Sequence, residues 1–368
     1  MQPAQIEEQM AAKKAPSSRV GLREIAALAK VSVATVSRVL NGNKRVDPII
    51  RDLVLKAADS LEIDLSQRNK TKALAFLLCN RTMLHAFHSR ILIGAEEYSA
   101  SQGWDMIFLS YNYSRHIPWK ELHLPKVVQR HDVVRGVILA GSNSMNLIEL
   151  LEHRNVTFSL LGNNIIDPPA QLRHDVVVSD DVQGGYDMTR YLISQGHHGI
   201  CFVGNLRLPY YSRCYSGYKK AMEDAGLEPR HSTINSEDDA EIGYLGTKAL
   251  LSAHKPVTAI FSGNDFSAHG VYRALRDSGL RIPDDISVVG CNDTVGPWLY
   301  PGLTTIREFP EQLGSHLVET LLRRIANPEL APQQVSIPTE LIKRDSTRPA
   351  AFTPVAAPAQ QGTPVGIL

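Results

Sequence analysis

The chain has 368 residues, 43% of them hydrophobic and 21% charged, with a formal net charge of +1, which supports a small domain plus a large two-part body and excludes a disordered chain. No apolar run reaches the ~18 residues of a membrane span, and the polar start around Glu7, Glu8, Lys13 and Lys14 has no apolar signal-peptide centre, so a cytoplasmic protein with no membrane partner is expected. Cys79, Cys201, Cys214 and Cys291 are scattered, without a C-x-x-C or Cys/His cluster, which argues against a disulfide framework, a metal site or a cofactor held by one.

Residues 1–18 are neutral and poor in apolar side chains and read as a disordered extension. Next come two short helices joined by a tight turn. Leu22, Ile25, Ala26 and Ala29 recur at i, i+3, i+4 and i+7; Val31 bridges the turn; Val36, Val39 and Leu40 face inward from the second helix. That second helix turns Ser32, Ala34, Thr35, Ser37 and Arg38 outward, and such small and hydroxyl-bearing side chains let a backbone approach a major groove. An arginine there can pair bidentately with guanine O6 and N7. Asp47 followed by Pro48 reads as an N-cap and first-turn proline, opening a third helix to about Leu61 with Leu53, Val54, Ala57, Ala58 and Leu61 inward. Charge follows this segment: residues 19–72 hold eleven Lys/Arg against six Asp/Glu, or +5, leaving −4 for residues 73–368 once the neutral start is subtracted from +1. A basic head on a mildly acidic body fits nucleic acid better than a membrane surface.

The run Val-Ser-Val-Ala-Thr-Val-Ser-Arg-Val-Leu-Asn, residues 31–41, resembles the helix-turn-helix of the LacI/GalR family of bacterial transcription regulators. The resemblance implies that Val33, Ala34 and Arg38 choose bases while Ser32, Thr35, Ser37 and Asn41 hold the helix on phosphates. The DNA-binding domain then spans 19–62 and a hinge spans 63–72. Relatives carry an Asn-Tyr-x-Pro-Asn segment there and a leucine that wedges into the minor groove. Leu61-Glu-Ile-Asp-Leu-Ser-Gln-Arg-Asn-Lys-Thr-Lys72 has neither that proline nor that leucine, although Arg68, Lys70 and Lys72 can meet phosphates. The expected result of a gel-phasing assay is a weaker operator bend than in typical relatives; a sharp central kink is the contrary outcome.

The body, 73–345, alternates strand and helix. Apolar runs at 74–78, 106–109, 137–139, 156–161, 176–178, 200–203, 259–261 and 286–289 read as strands of doubly wound parallel sheets. The expected fold class is α/β, and the family resemblance implies an all-α helix-turn-helix headpiece followed by a two-lobed, periplasmic-binding-protein-like body with parallel sheets. The lobe boundary is placed near 172, with crossovers near 300 and 330, and 346–368, rich in Pro, Ala and Gly, as a disordered tail. Val176 to Asp181, Gly184-Gly185, the Gly-His turn at 196–197, Ala259 to Asp265, Arg281 to Asp293 and Leu303 to Ile306 resemble the family's effector-binding core.

Ligands of such folds sit at the carboxyl ends of strands, between the lobes. Asn264-Asp265 and Asn292-Asp293 end two strands; in the family the first of each pair faces the effector, so Asn264 and Asn292 lead, an Asx turn or cap being the competing use of each. Relatives place an arginine three residues before the Gly-aromatic pair, here Gly217-Tyr218. That position is Cys214, with Arg213 one residue earlier and still a candidate for a bidentate grip, a surface role being the other reading. Tyr210 and Tyr211 are placed to stack on a sugar face. Asn80, Arg81, the His85-Ala86-Phe87-His88 run, Asn163 beside Asn164, Trp298 and Glu308 complete the candidate set, Asn80, Arg81, Phe87, His88, Asn163, Trp298 and Glu308 being the principal ones; Asp180 reads as structural.

The resemblance implies a homodimeric repressor on a near-palindromic double-stranded DNA operator, controlled by a small effector, a carbohydrate or sugar derivative by family habit. The alternative is a stand-alone cytoplasmic solute-binding protein with a vestigial headpiece, which the basic head argues against. No nucleophile elbow, phosphate-cradling Gly-rich loop or metal-spaced His/Glu pair is present, so an enzyme is not expected.

Overall fold

The apolar spacing of the N-terminal segment produces three helices, α1 (Ser18–Leu28), α2 (Val33–Leu40) and α3 (Pro48–Ser60). The computed structural model describes residues 18–40, 46–61, 72–81, 85–169, 173–253 and 256–350, in two units divided after Lys72. Ile25, Ala26, Ala29, Val36, Val39, Val54, Ala57 and Ala58 form the head's core. The turn before α2 places Lys30 at φ +53°, and the Ser32 hydroxyl accepts the Thr35 N–H at 3.0 Å, capping α2. Asp47 caps α3 by accepting the Ile49 N–H at 2.8 Å, with Pro48 at the first helical position. Leu53 and Leu61 are not inward as expected: they are 47% and 37% exposed. Val54, Ala57 and Ala58 already fill the stripe; Leu53 lies about 100° round the helix from Val54, and Leu61 is past the last turn. The expected N-terminal extension, apart from Ser18, and the hinge, apart from Lys72, lie outside the described residues.

In the body, strands β1 (Ala73–Cys79), β2 (Asp105–Tyr111), β3 (Val134–Gly141), β4 (Phe158–Leu161) and β5 (Val176–Ser179) build one sheet. Strands β6 (Ile200–Gly204), β7 (Arg230–Thr233), β8 (Ala259–Ser262), β9 (Ser287–Asn292) and β10 (Thr304–Arg307) build the other. β11 (Gln334–Ile337) returns to the first, and β12 (Glu340–Ile342) ends at the second. Among the described residues each sheet has six strands, in the orders β11-β5-β4-β3-β1-β2 and β12-β10-β9-β8-β6-β7. All pairs are parallel except β10 with β12, an antiparallel edge. Helices α4 (Ala86–Ser101), α5 (Met145–His153) and α10 (Pro310–Ala326) flank the first sheet; α6 (Asp181–Ser194), α7 (Pro209–Asp224), α8 (Asp239–Ser252) and α9 (Asp265–Arg276) flank the second. No helix among the described residues is long and apolar enough to cross a membrane.

β5 belongs to the first sheet, so the chain first changes lobe at Asp180 rather than near 172; it returns at 308–309 and crosses again at 338–339, rather than near 300 and 330. The disorder expected of the tail from residue 346 is also corrected at its start, because residues 346–350 are stitched into the second lobe. The buried Ser346 hydroxyl accepts the Thr304 N–H at 2.8 Å, and Ala350 N–H donates to the Gln195 carbonyl at 2.9 Å. Residues 351–368 lie outside the described set. Helices α6 and α7 meet backbone to backbone at Gly185 and Gly217: a methyl on Gly217 would stand 1.9 Å from the Val182 carbonyl oxygen.

Candidate functional site

A cleft between the lobes, with about 490 Å³ of empty space when the solvent at its mouth is counted, is lined by Arg81, His85, Phe87, His88, Asn163 and Asn164 from the first lobe. Asp181, Tyr210, Gly263, Asn264 and Asn292 line it from the second, and Glu308 from the crossover between them. It forms where both sheets end: β1, β4, β8 and β9 each deliver a polar residue at their carboxyl ends, as the alternation of strand and helix requires.

Three interactions cross the cleft. The Arg81 guanidinium lies 5.0 Å from the centre of the Tyr210 ring. His85 Nε2 stands 3.4 Å from Asp239 Oδ2, and the His85 ring is tilted against Phe266 at 5.1 Å. Asp239 also accepts the hydroxyls of Tyr210 and Tyr211, both at 2.9 Å. Burial opposes the Asp239 charge, but the His85 hydrogen bond and the charges of His85 and Arg81 hold its carboxyl below the usual range.

The floor is a connected polar network. Asn163 Oδ1 accepts the Ser179 N–H at 2.9 Å, while its amide nitrogen lies 2.9 Å from Asp181 Oδ2 and 3.0 Å from both Ser179 oxygens. Arg213 reaches Asp181 through Nε at 2.9 and 3.0 Å and through a terminal nitrogen at 2.7 Å. Burial works against the Arg213 charge and Asp181 outweighs it, so the guanidinium is held charged. The Ser179 hydroxyl and the Cys291 thiol donate to Glu308 at 3.2 and 3.1 Å. Burial, reinforced by Asp181, raises the Glu308 carboxyl to about 7. Burial also drives the His88 imidazole down to about 3, with His85 and Arg81 acting in the same direction, so the ring is neutral at physiological pH.

The raised Glu308 value has a sign. Its protonated form is favoured by the fold, so its contribution to stability is complete below the ordinary carboxyl value of 4.5 and is lost as pH rises through about 7. The loss is on the order of 3 kcal/mol. Glu308→Gln has no such dependence, so its Tm relative to the native chain is expected to climb between pH 5 and pH 8 in thermal melts. A constant difference across that window sinks the assignment.

Of the effector candidates, Arg81, Phe87, His88, Asn163, Asn264, Asn292 and Glu308 line the cleft. Asn264 is also a helix cap, accepting the Ser267 N–H at 2.7 Å and donating to the Tyr211 hydroxyl at 3.1 Å, so much of its capacity is structural. Asn292 sits at φ +90° and accepts the Thr294 hydroxyl at 2.7 Å. Arg213 stands behind the lining, turned to Asp181. Asn80 is not at the cleft: at φ +51° its Oδ1 accepts the Tyr113 N–H and its amide donates to the Ser142 carbonyl, tying two loops together. Trp298 does not wall the cleft either; it is 84% exposed on a short turn of 3-10 helix. Asp180 caps α6 through the Gln183 N–H, as expected. Asp181 and Asp239 escaped the sequence reading, because each gains its meaning from partners 18 or more residues away; the signal for Asp181 was an acid following a strand-end Ser-Asp.

On the head, Ser32, Val33, Ala34 and Arg38 are exposed on one side of α2 while Val36 and Val39 are buried. Thr35 and Ser37 are half-buried, the Thr35 hydroxyl being 2.8 Å from that of Ser32. Asn41 lies outside the described residues.

Comparisons with known proteins agree with both parts. Residues 21–62 match the family model of bacterial regulatory proteins of the lacI family, and residues 189–347 match that of the periplasmic binding protein-like domain. The chain is 30% identical over 317 residues to the ribose operon repressor of Haemophilus influenzae, covering 83% of this chain and 92% of that protein. A solved complex of the transcriptional regulator CelR with cellobiose is similar at 26% identity and TM-score 0.65, over 90% of this chain and 99% of that one. The Lac repressor dimer bound to operator and the anti-inducer ONPF shares the fold at TM-score 0.66 and 24% identity, over 88% of this chain and 98% of its own. The chain therefore belongs to the lacI family of bacterial regulatory proteins and is a DNA-binding transcriptional regulator with a periplasmic-binding-protein-like body.

Proposed function

We propose that this regulator is a repressor acting in the cytoplasm as a homodimer on a near-palindromic operator, and that a sugar or sugar derivative in the interlobe cleft sets its operator affinity. One observation carries the effector reading: on its first-lobe side the cleft presents buried polar atoms that no protein group among the described residues satisfies, Asn164 Oδ1 and a ring nitrogen each of His85 and His88. Buried polar atoms are ordinarily hydrogen-bonded, so these three favour a polar ligand there. Tyr210 and Phe87 add aromatic walls of the kind that stack on a pyranose or furanose face. Relatives solved with cellobiose and with ribose support a carbohydrate. The outward Ser32-Val33-Ala34-Arg38 side of α2 supports major-groove reading.

The test is a selection of random duplex DNA on the purified protein, followed by titration of the selected duplex in the presence of a sugar panel that includes ribose and cellobiose. A palindrome should be enriched, and one sugar should change its affinity by about 5–150-fold, the usual span of coupling between two sites. Absence of any sugar effect on a complex that forms normally sinks the carbohydrate reading; enrichment of a single half-site sinks the dimer.

A further inference from the structure

Charge is unbalanced at the cleft floor. Two guanidinium groups and three carboxylates stand in or against it: Arg81, Arg213, Asp181, Asp239 and Glu308. Arg213 gives its hydrogen bonds to Asp181, at 2.7–3.0 Å. Arg81 donates to the Ser142 hydroxyl at 3.2 Å and lies over Tyr210, whose hydroxyl is bound to Asp239. Asp239 is met by His85 and two tyrosine hydroxyls. Glu308 is different. It is 8% exposed, lines the cleft, and receives only the neutral Ser179 hydroxyl and Cys291 thiol; no ion pair to it forms among the described residues. Arg213 favours its charge, but less than burial and Asp181 oppose it, and a buried carboxylate with no ion pair is costly to keep charged.

A second feature of the same wall is independent of that carboxylate. Asn164 is 4% exposed, lines the cleft and leaves its Oδ1 without a donor. Its neighbour Asn163 bonds Ser179, and Ser179 bonds Glu308, so Asn164 and Glu308 belong to one floor. His88, 3% exposed, also leaves Nδ1 without a partner. A carboxylate and an amide oxygen on one floor, beside a neutral imidazole that leaves one nitrogen free, call for a group that carries several N–H donors and a positive charge. An ammonium has that character.

Resting on the reading of this cleft as the effector site, we infer that the effector is a polyhydroxylated amine, an amino sugar in its unacetylated form, whose ammonium seats against Glu308 with Asn164 Oδ1 as a second acceptor. Burial keeps the Glu308 carboxyl close to its titration midpoint at neutral pH, so an arriving cation favours the charged form at small cost. A hydroxyl in the same place supplies one donor and leaves the carboxylate uncompensated; an acetamide supplies one N–H, no charge and added bulk.

The experiment is calorimetric titration of the full chain at pH 7 with glucosamine, glucose and N-acetylglucosamine, which differ at one substituent. Glucosamine is expected to bind at least tenfold more tightly than either of the others, and Glu308→Gln to reduce that preference at least tenfold. Equal or weaker binding of glucosamine overturns the inference, as does a preference that survives Glu308→Gln in a variant that still unfolds in one cooperative transition well above the titration temperature. The comparison within the native chain decides even where the variant does not fold. Binding of glucose without preference for the amine removes the amine alone and leaves the sugar cleft standing; failure of all three sugars to bind counts against both.

Discussion

Arg38→Ala is expected to abolish sequence selection by this protein while leaving its binding of a small effector unchanged. Arg38 is exposed in the last turn of α2, on the side away from Val36 and Val39, and its neighbours on that side are Ala34 and half-buried Ser37. Such short neighbours let a helix sit deep in a major groove, leaving the arginine as the long donor able to span both acceptors of a guanine. A bidentate contact is worth about 1–3 kcal/mol, so a dimer on two half-sites loses about 2–6 kcal/mol, or roughly 30-fold to 10⁴-fold in affinity. Selection of random duplexes by the variant should return no palindrome. Retained selection of the native operator would overturn the role of α2 as the reading helix, whereas a changed effector affinity would show that the substitution reaches beyond the head.

The second large effect is on stability. Gly217→Ala places a methyl 1.9 Å from the Val182 carbonyl oxygen and 2.7 Å from the Tyr186 nitrogen, both backbone atoms that no rotamer change can move. Helices α6 and α7 must separate to admit it, and a well-packed interior does not yield cheaply. A loss of about 3 kcal/mol is expected, lowering Tm by roughly 6–12 °C for a body of this size. Gly103→Ala supplies the comparison: Gly103 has φ +70° and open space around it, so only backbone strain of about 1–2 kcal/mol applies. A Gly217→Ala variant as stable as Gly103→Ala would mean that the two helices are not held as close as described. Because α7 carries Tyr210 and Arg213 and α6 begins at Asp181, this substitution should also weaken ligand binding at the cleft.

Much of the fold was legible because it rests on local repetition. The i, i+3, i+4 spacing from Leu22 to Ala29 and the Asp47-Pro48 cap are short-range features, and the eight apolar runs expected as strands all fall on strands. Four strands carry no such run: β7, β11 and β12 are edge strands of three or four residues in which polar His231, Gln334 and Glu340 face water, and the inner β10 is mostly threonine and arginine, its Leu303 to Ile306 string having been legible only as a resemblance to the family. The cleft was legible as a set of strand ends rather than as a set of contacts. Phe87, His88, Asn163, Asn292 and Glu308 could be placed there because strand ends and the crossover converge. Whether a polar residue then faces ligand or serves the fold depends on partners that no spacing reveals. Asn80 ties Tyr113 to Ser142, Asn264 caps α9, and the displaced Arg213 is drawn to Asp181, 32 positions away. Trp298 shows the opposite error: a large aromatic near a strand end suggested a wall, while the short 296–298 turn carries it outward.

The three segments on which the chain passes between lobes are only one or two residues long, and one of them contains Glu308. Links that short behave as an axle, permitting rotation of one lobe against the other and little else. A molecule touching Glu308 therefore presses on the axle itself, while one touching Tyr210 or Arg81 pulls at the rim. The same turn of the lobes requires more force at the axle and more travel at the rim, so a two-ended ligand that engages both converts a small adjustment at the floor into a large sweep at the lobes' distant ends.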